Sequence, residues 1–366
     1  MKNTFGNNLS VTIFGESHGN SIGVVIDGLS PGITVDDAVI KGMLSKRRPS
    51  GAISTSRAER DEYIIQSGVF NGKTTGTPLC ITIPNDDTIS RDYTETRWIA
   101  RPSHADYTAN CKYHGFEDYR GGGHFSGRVT AALVAAGAVI MPALEKFGIR
   151  IGTHIKSCAG VSDRDFHDLP NDLDLLSTLD FAVLDDSVAD EMKSRILEAK
   201  SKGDSVGGVL ETVVTGLEAG LGEPWFDSIE SLISHAVFSV PAVKGIEFGA
   251  GFSFAKMYGT EANDCFRIDN GNVKTVTNNS GGINGGISNG MPIVFKTAIR
   301  PTPTVSAPQN SVNFKEMQDA ILSMKGRHDP CIVHRARIVI DAVTALVIGD
   351  LLAGRYGDDW AFKGGR

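Results

Sequence analysis

Three short strings, far apart in the chain, each place a histidine among glycine, proline and arginine residues. The strings are Phe14-Gly-Glu-Ser-His-Gly19, Arg101-Pro-Ser-His-Ala-Asp-Tyr-Thr108 and Lys325-Gly-Arg-His-Asp-Pro-Cys331. This composition is typical of turns, where a rigid scaffold often presents catalytic groups. With an unperturbed pKa of about 6.5, histidine is the side chain best suited to proton transfer near neutral pH. The sequence therefore predicts an enzyme whose site is assembled from distant segments.

The histidines and a neighbouring carboxylate could divide acid and base roles between them. His18 and His104 each follow a serine and could act as acids on two different atoms of a ligand. Asp329 follows His328 and could act as the base, although capping the turn before Pro330 is also a common role for aspartate. A structural role is the alternative for each histidine taken alone. Three histidines in similar turns favour catalysis.

The chain is acidic overall but basic beside the histidines. A formal net charge of −7 argues against nucleic acid or an acidic membrane as the main partner. Surface ion pairs would explain any single arginine near the three strings. As a set, the arginines predict a basic pocket for a small polyanion: Arg47, Arg48, Arg101, Arg120, Arg128, Arg327, Arg335 and Arg337.

Glycine is abundant and clustered. The chain contains 42 glycines, with clusters at 121–123, 281–282 and 285–286, which indicates close approach of the backbone to another group. The string Arg120-Gly-Gly-Gly-His124 precedes an apolar helix, so its backbone N–H groups could bind an anion. It matches neither the Walker pattern nor G-x-G-x-x-G, and a plain loop is the alternative.

Cysteine usage and the absence of targeting patterns bear on location. Five cysteines without close pairing or CxxC spacing predict reduced, mostly packed thiols. The N-terminus lacks a basic-then-apolar signal, and no run of 18 apolar residues occurs. We therefore expect a cytoplasmic protein.

Two strongly apolar segments predict the elements that position the site. Residues 129–147 and 335–352 read as helices that are apolar nearly all round, although Gly137 and Pro142 could interrupt the first. Such helices predict a helical layer covered on both faces by sheets. Strands are expected at 10–14, 21–27 and 62–70, and a helix from the capping string Thr34-Val-Asp-Asp37 to just before Arg47.

The second half of the chain predicts a similar mixture. An amphipathic helix is expected at 187–201, a strand at 206–215, a helix near 226–237 and a strand at 291–299. The Asp-rich stretch 156–185 is weakly patterned and is expected to be an exposed excursion. Neither a repeat nor a linker is evident, so we expect one α+β domain over residues 1–366.

Taken in order, the strings resemble those of the chorismate synthase family. The resemblance covers nearly the whole chain in the family's order, which makes it far more specific than any one motif. The matching segments are Phe14-Gly-Glu-Ser-His-Gly, Arg47-Arg-Pro, Ser67-Gly-Val-Phe, Lys73-Thr-Thr-Gly-Thr-Pro, Arg101-Pro-Ser-His-Ala-Asp-Tyr-Thr, Arg120-Gly-Gly-Gly, Gly203-Asp-Ser-Val-Gly-Gly, Gly220-Leu-Gly-Glu-Pro, Val243-Lys-Gly-Ile-Glu, Gly285-Gly-Ile-Ser-Asn-Gly290 and Arg327-His-Asp-Pro-Cys.

The resemblance implies a lyase that converts 5-enolpyruvylshikimate 3-phosphate to chorismate by 1,4-elimination of phosphate and a ring hydrogen. It implies reduced FMN as cofactor, which transiently donates an electron although the reaction has no net redox change. The implied fold is a β-α-β sandwich with central helices between two antiparallel sheets, assembled as a homotetramer.

The resemblance also implies roles for individual residues. His18 would protonate the departing phosphate, His104 would protonate the reduced flavin, and Asp329 would help to remove the ring proton. The substrate-side residues would be Ser17, Arg47, Arg48, Arg128 and Arg335. The FMN-side residues would be His124, Phe125, Ser126, Pro241, Ala242, Gly285, Arg300, Pro301, Thr302, Pro303, Thr304 and Arg327.

The chain departs from the usual family pattern at several flavin-side positions. His124-Phe-Ser-Gly-Arg-Val-Thr130 stands where the family usually reads Arg-Ser-Ser-Ala-Arg-Glu-Thr, Arg300 replaces a common lysine, and Pro241 replaces a common asparagine. The stretch 50–54 lacks a frequent arginine. That difference weakens the case for a built-in NADPH-dependent (NADP-linked) flavin reductase, so we expect externally reduced flavin.

Two other classes of function compete with the lyase. A metal-dependent phosphoesterase could use His104-Ala-Asp106 and His328-Asp329 as ligands, although the arginines in those turns would repel a divalent cation. A non-catalytic anion-binding module could be built on Gly121–Gly123. That module would leave His18 and His104 without a catalytic role.

Overall fold

The computed structural model describes residues 3–55, 59–86, 96–324 and 329–363. Within these ranges the α-helices are α1 (Asp37–Arg47), α2 (Asp106–Tyr113), α3 (Thr130–Lys146), α4 (Leu169–Thr178), α5 (Ala189–Ser201), α6 (Ile229–Ser239), α7 (Gly259–Ala262), α8 (Val333–Tyr356) and α9 (Trp360–Lys363). The strands are β1 (Thr4–Phe5), β2 (Ser10–Gly15), β3 (Ser21–Asp27), β4 (Ile64–Ser67), β5 (Val69–Phe70), β6 (Lys73–Thr74), β7 (Leu79–Pro84), β8 (Arg150–Cys158), β9 (Val161–Ser162), β10 (Gly208–Thr215), β11 (Val243–Phe248), β12 (Phe266–Asp269), β13 (Asn272–Thr275), β14 (Ile283–Asn284), β15 (Ile287–Ser288), β16 (Ile293–Ile299), β17 (Gln309–Asn313) and β18 (Gln318–Leu322).

Two five-stranded antiparallel sheets form the outer layers. The first sheet has the order β1-β2-β3-β7-β4, and the second has the order β11-β16-β10-β8-β9. Burial alternates along β7 and β16, as expected for strands with one face on the core. Side chains at alternate positions therefore point toward whatever lies between the sheets.

The layer between the sheets is helical. Helix α3 packs on β3 and β7 of the first sheet, α8 packs on β8 and β10 of the second, and the two helices pack on each other. Helix α1 contacts both α3 and α8, and α6 contacts α8 and β11. The predicted β-α-β sandwich, with central helices between two antiparallel sheets, is confirmed. Helix α3 continues through Gly137 and Pro142 without a break.

Within the described ranges, helix α3 and the residues just before it resemble a membrane span in length and composition. Residues Gly127–Lys146 are long and apolar enough for one, but 78% of that window is buried inside the protein. The apolar character of α3 is explained by its central place between the sheets.

Helices α3 and α8 come close together at Gly137. A Cβ atom built on Gly137 would lie 2.6 Å from both Cα and Cβ of Ala342 and 2.9 Å from its carbonyl oxygen. Real Cβ atoms do not come so near a helix backbone, so only glycine lets the two helices meet here. Gly137, which the sequence suggested could interrupt the helix, is the residue that allows α3 to pack against α8.

We expect Gly137→Ala to lower the free energy of unfolding by about 1–3 kcal/mol because α3 and α8 must separate to admit the methyl group. Gly42→Ala is the matched control, since Gly42 lies within α1 and a Cβ there meets nothing within 4 Å. That change should stabilise the protein by about 0.5–1 kcal/mol through helix propensity. Urea unfolding of both variants measures the difference, and equal stabilisation by the two would contradict the close contact.

The predictions for the separate elements are confirmed with small shifts in their limits, except at 62–70. That stretch divides into β4 and β5 at Gly68, whose φ is +84°. Helix α1 begins at Asp37, and its N-cap is Asp36, whose side chain accepts hydrogen bonds from the backbone N–H groups of Ala38 and Val39.

The prediction that 156–185 is an exposed excursion is wrong. The stretch contains the end of β8, all of β9 and α4, and helix α4 packs on β8 through buried Leu173 and Leu176. Two of its aspartates, Asp163 and Asp172, are buried as well. The aspartates hid the apolar spacing, because hydrogen bonds make their burial possible: Asp172 bonds Arg164, and Asp163 bonds His154.

The five cysteines are free thiols, but the expectation that most are packed holds only in part. Cys158 and Cys331 are buried, Cys80 is half-buried, and Cys111 and Cys265 are exposed.

A buried ionic network lies in the second sheet. The His154 ring, with 0% exposure, places Nδ1 2.8 Å from an Asp163 oxygen and Nε2 2.9 Å from a Glu211 oxygen. Burial alone would lower the pKa of His154, but the hydrogen bonds to the two carboxylates raise it overall. His154 is therefore the cation that makes burial of the two carboxylates tolerable.

Candidate active site

The triglycine string forms a tight loop against two of the predicted catalytic histidines. Gly121, Gly122 and Gly123 all have positive φ, at 61°, 101° and 55°. A Cβ on Gly121 would lie 2.4 Å from Nε2 of His18, and one on Gly122 would lie 3.3 Å from Nε2 of His104. Glycine is required here by both backbone conformation and space. The structure thus brings together two histidines that are distant in sequence.

The turn that carries His18 is tied to this loop. The backbone N–H of Ser17 donates to the carbonyl of Gly123 at 3.1 Å, and its hydroxyl donates to the carbonyl of Arg120 at 3.2 Å. The Nδ1 atom of His124 lies 2.7 Å from the carbonyl oxygen of Gly15. Two strings singled out in the sequence therefore form one rigid unit.

His104 is oriented by a charged pair behind it. Its Nδ1 lies 2.8 Å from an Asp106 oxygen, and the Arg101 guanidinium grips the same carboxylate with two N–H groups at 2.8 and 2.6 Å. Burial lowers the pKa of His104, and the nearby Arg101 and Arg300 lower it further against the effect of Asp106. A neutral ring that donates from Nδ1 to Asp106 leaves Nε2 free to accept a proton beside Gly122.

Asp329 is held in place through both of its carboxylate oxygens. One carboxylate oxygen accepts the backbone N–H of Thr55 at 2.8 Å, and the other accepts Nη1 of Arg335 at 2.7 Å. Arg335 in turn donates from Nε to the carbonyl of Arg47 at 2.7 Å. These contacts favour a positioned carboxylate over simple capping of the turn before Pro330.

Two predicted substrate arginines form a buried cluster with two acids. Asp61 accepts from Nε and Nη2 of Arg47, at 3.2 and 2.9 Å, and also bonds Nη1 of Arg128. Glu59 bonds Nη2 of Arg47 and lies 3.6 Å from Nη1 of Arg128. Burial would raise the pKa of Glu59, but attraction by Arg47, Arg335 and Arg128 outweighs it and lowers the pKa to about 2. Glu59 is therefore charged.

Two neighbouring cavities share a wall that contains His104. The first has a volume of about 240 Å³ and the second about 460 Å³. Both are lined by His104, Phe125, Val240, Pro241, Ala242 and Arg300. The first also contains the arginine cluster and Asp329, whereas the apolar floor of the second includes Val11, Leu133 and Leu346.

Most of the predicted site residues line these cavities. The first cavity is lined by His104, Asp329, Arg47, Arg128, Arg335, Phe125, Ser126, Pro241, Ala242, Arg300, Thr302, Pro303 and Thr304, and His124 lines the second. Ser17 and His18 contact the triglycine loop and are absent from both cavity linings.

Three other predicted residues are not brought to the cavity walls. Arg48 is half-buried and donates to the carbonyl of Arg60, and Pro301 precedes the lining residue Thr302. Gly285 lies in the β14–β15 hairpin, where a Cβ would meet nothing within 4 Å. Arg327, like His328, lies outside the described residues.

The basic pocket gathers part of the predicted arginine set. Arg47, Arg101, Arg128 and Arg335 line the first cavity. Arg120 instead pairs with Asp118 at a half-exposed position, and Arg337 is buried in the core, where it donates to the carbonyl of Leu179.

Sequence reasoning missed the groups that hold these arginines in place. Glu59, Asp61 and Thr55 had no periodic signal and no histidine beside them. Asn85 was also missed. Its side chain donates to the carbonyls of Glu16 and Gly19 and accepts from Nε of Arg128, so it links the His18 turn to the arginine cluster.

The metal-dependent alternative finds no support in this arrangement. Among the residues that the structure describes, no group of three or more His, Cys, Asp and Glu side chains is placed to hold a metal ion. Both oxygens of Asp106 are engaged by the Arg101 guanidinium, which would repel a cation.

Comparison with known proteins gives one consistent result. A family model described as chorismate synthase matches residues 9–353. The chain is 45% identical to the chorismate synthase of Thermococcus gammatolerans over 355 residues, covering 96% of this chain and 97% of that protein. It is 44% identical to the chorismate synthase of Chitinophaga pinensis over 361 residues, covering 99% of both.

A solved structure agrees with the sequence relatives. A crystal structure of chorismate synthase superposes with a TM-score of 0.77 at 29% identity, covering 98% of this chain and 96% of that one.

Proposed function

The chain belongs to the chorismate synthase family, and we propose that its two joined cavities hold 5-enolpyruvylshikimate 3-phosphate beside reduced FMN. As a member of that family it is a lyase of the shikimate pathway, which converts this substrate to chorismate and phosphate.

The observation that carries the proposal is the position of His104 in the wall shared by the two cavities. A substrate with two carboxylates and a phosphate suits the cavity that contains Arg47, Arg128 and Arg335, since guanidinium groups bind such anions with paired hydrogen bonds. A planar aromatic cofactor suits the neighbouring cavity with its apolar floor. His104 would then lie between the two ligands.

The residues present fit an FMN phosphate. The Nε atom of Arg300 and the hydroxyl of Thr302 are buried without a hydrogen-bond partner within the described part of the chain. Thr302 lines the first cavity and Arg300 lines both, so the FMN phosphate would lie where the two cavities meet. Buried polar atoms without partners are costly, so a bound anion would satisfy them. When bound, reduced FMN would supply a transient electron that helps the phosphate leave.

The chain's own residues would then move the protons. His104 lies in the shared wall with its Nε2 beside Gly122 and would exchange a proton with the flavin ring, with Asp106 fixing its orientation. His18 would protonate the departing phosphate, and Asp329, held by Thr55 and Arg335, would help to take the ring proton.

Assembly and location belong to the same proposal. We expect a cytoplasmic homotetramer of single-domain subunits. The main hydrophobic core draws residues from Leu9 to Trp360, which supports the single domain. The hairpin β12–β13 exposes apolar side chains that a neighbouring subunit would cover, with Phe266, Ile268 and Val273 exposed to 67%, 72% and 59%.

The cofactor requirement is testable by assaying chorismate formation anaerobically with oxidised FMN, with dithionite-reduced FMN, and with oxidised FMN plus NADPH. We expect product only with pre-reduced FMN, because we expect the flavin to be reduced externally. Product with NADPH would show that the chain reduces flavin itself. Equal rates without any flavin would contradict the proposed cofactor.

A further inference from the structure

The substrate side of the first cavity is electrically balanced before any ligand binds. Three guanidinium groups, those of Arg47, Arg128 and Arg335, face three carboxylates. The ion pairs are Arg47 with Glu59 and Asp61, Arg128 with the same two acids, and Arg335 with Asp329. If these ion pairs stayed as they are, an anion with three or more charges that entered the cluster would meet no net positive charge.

The two acids that hold Arg47 and Arg128 differ in position. The Asp61 side chain is 1% exposed and does not line the cavity. It forms ion pairs with the guanidinium groups of Arg47 and Arg128 on the side away from the cavity. The Glu59 side chain is 14% exposed and lines the cavity itself. Asp61 therefore orients the arginines, whereas Glu59 covers the side of them that faces the cavity.

Building on the proposed substrate site, we propose that Glu59 is an internal counter-ion that occupies the ligand-binding face of Arg47 and Arg128 and is displaced by an anionic group of the substrate. A carboxylate and a phosphate accept hydrogen bonds from the same guanidinium N–H groups. Two anions cannot share those groups at close range in a partly desolvated cavity, because their repulsion is strong where water is excluded. The incoming anion must therefore take the place of Glu59.

Displacement of an internal anion makes binding selective. A ligand gains affinity only by the excess of its own contacts over those that Glu59 gives up. A ligand with a single charge would replace one anion by another with little gain. A ligand that carries a phosphate and two carboxylates would also reach a third cation of the same cavity, Arg335.

The test compares Glu59→Gln with Asp61→Asn in steady-state chorismate formation with reduced FMN, and measures inhibition by inorganic phosphate. For Glu59→Gln we expect the KM for 5-enolpyruvylshikimate 3-phosphate to fall about tenfold and phosphate to inhibit more strongly. For Asp61→Asn we expect KM to rise about tenfold, because the arginines lose their orienting partner. Glu62→Gln removes the same charge from an exposed neighbour and should change neither value.

A second variant keeps the test decisive if Glu59→Gln folds poorly. Glu59→Asp keeps the charge but withdraws the carboxylate from Arg47, and KM should fall by a smaller factor. A rise or no change in KM for the Glu59 variants would overturn the displacement proposal, while chorismate formation by these enzymes would leave the family function intact. Absence of chorismate from the unmodified enzyme would count against the function instead.

Discussion

Replacing His104 with alanine should lower the rate of chorismate formation by about 10²–10⁴-fold, the usual contribution of a general acid or base. The ring lies in the wall between the two cavities, and its Nε2 faces the triglycine loop. Arg101 and Asp106 remain paired without it, so the protein should stay folded. Steady-state rates with reduced FMN, together with circular dichroism, measure both expectations.

A matched control and a second variant sharpen this test. His114→Asn removes an exposed histidine at a left-handed position that asparagine tolerates, and it should leave the rate unchanged. Asp106→Asn removes a charge that raises the pKa of His104, so the limb of the pH–rate profile that belongs to His104 should shift to lower pH. A His104→Ala enzyme with near-normal turnover would make this histidine structural.

Replacing His154 with leucine should lower the free energy of unfolding by about 3–5 kcal/mol near neutral pH. The change removes the cation between Asp163 and Glu211 and leaves two carboxylates in the second sheet. Lys296 remains 4.0 Å from Glu211 and compensates only in part. Chemical denaturation of the variant measures the loss. His167→Leu, at an exposed histidine, is the control and should change stability by less than about 0.5 kcal/mol.

The same network predicts a dependence on pH. The pKa of His154 is raised by folding, so its contribution is complete below the unfolded value and is lost as pH rises through the folded value. The pKa of Asp163 is lowered, so its contribution is lost as pH falls through its folded value. The stability difference between the unmodified protein and His154→Leu should therefore shrink at high pH and at low pH. A constant difference across pH would contradict the charged network.

The central layer of the fold could be predicted because its pattern is local. Helices α3 and α8 are apolar nearly all round, and such helices need cover on both sides. The choice of antiparallel sheets came from the family resemblance and not from periodicity. Helix α4 was missed because its buried face is narrow and lies among aspartates, of which Asp172 is buried through partners that sequence spacing does not reveal.

The sequence predicts which types of residue form the site, but not which of them form hydrogen bonds and ion pairs with each other. Turn composition singled out His18, His104 and Asp329, and the structure places all three in or beside the cavity walls. The bond between Thr55 and Asp329 joins residues 274 positions apart, and no local pattern encodes it. Glu59 and Asp61, which pair with Arg47 and Arg128, could not be predicted because no local pattern encodes those pairings either.

Flavin-dependent elimination is tested most directly by an anaerobic single turnover that measures the inorganic phosphate and the chorismate released from 5-enolpyruvylshikimate 3-phosphate. Elimination at this site predicts equal amounts of the two products, and both only when reduced FMN is present. Phosphate released without chorismate, at a rate that ignores flavin, would mean hydrolysis and would contradict the account.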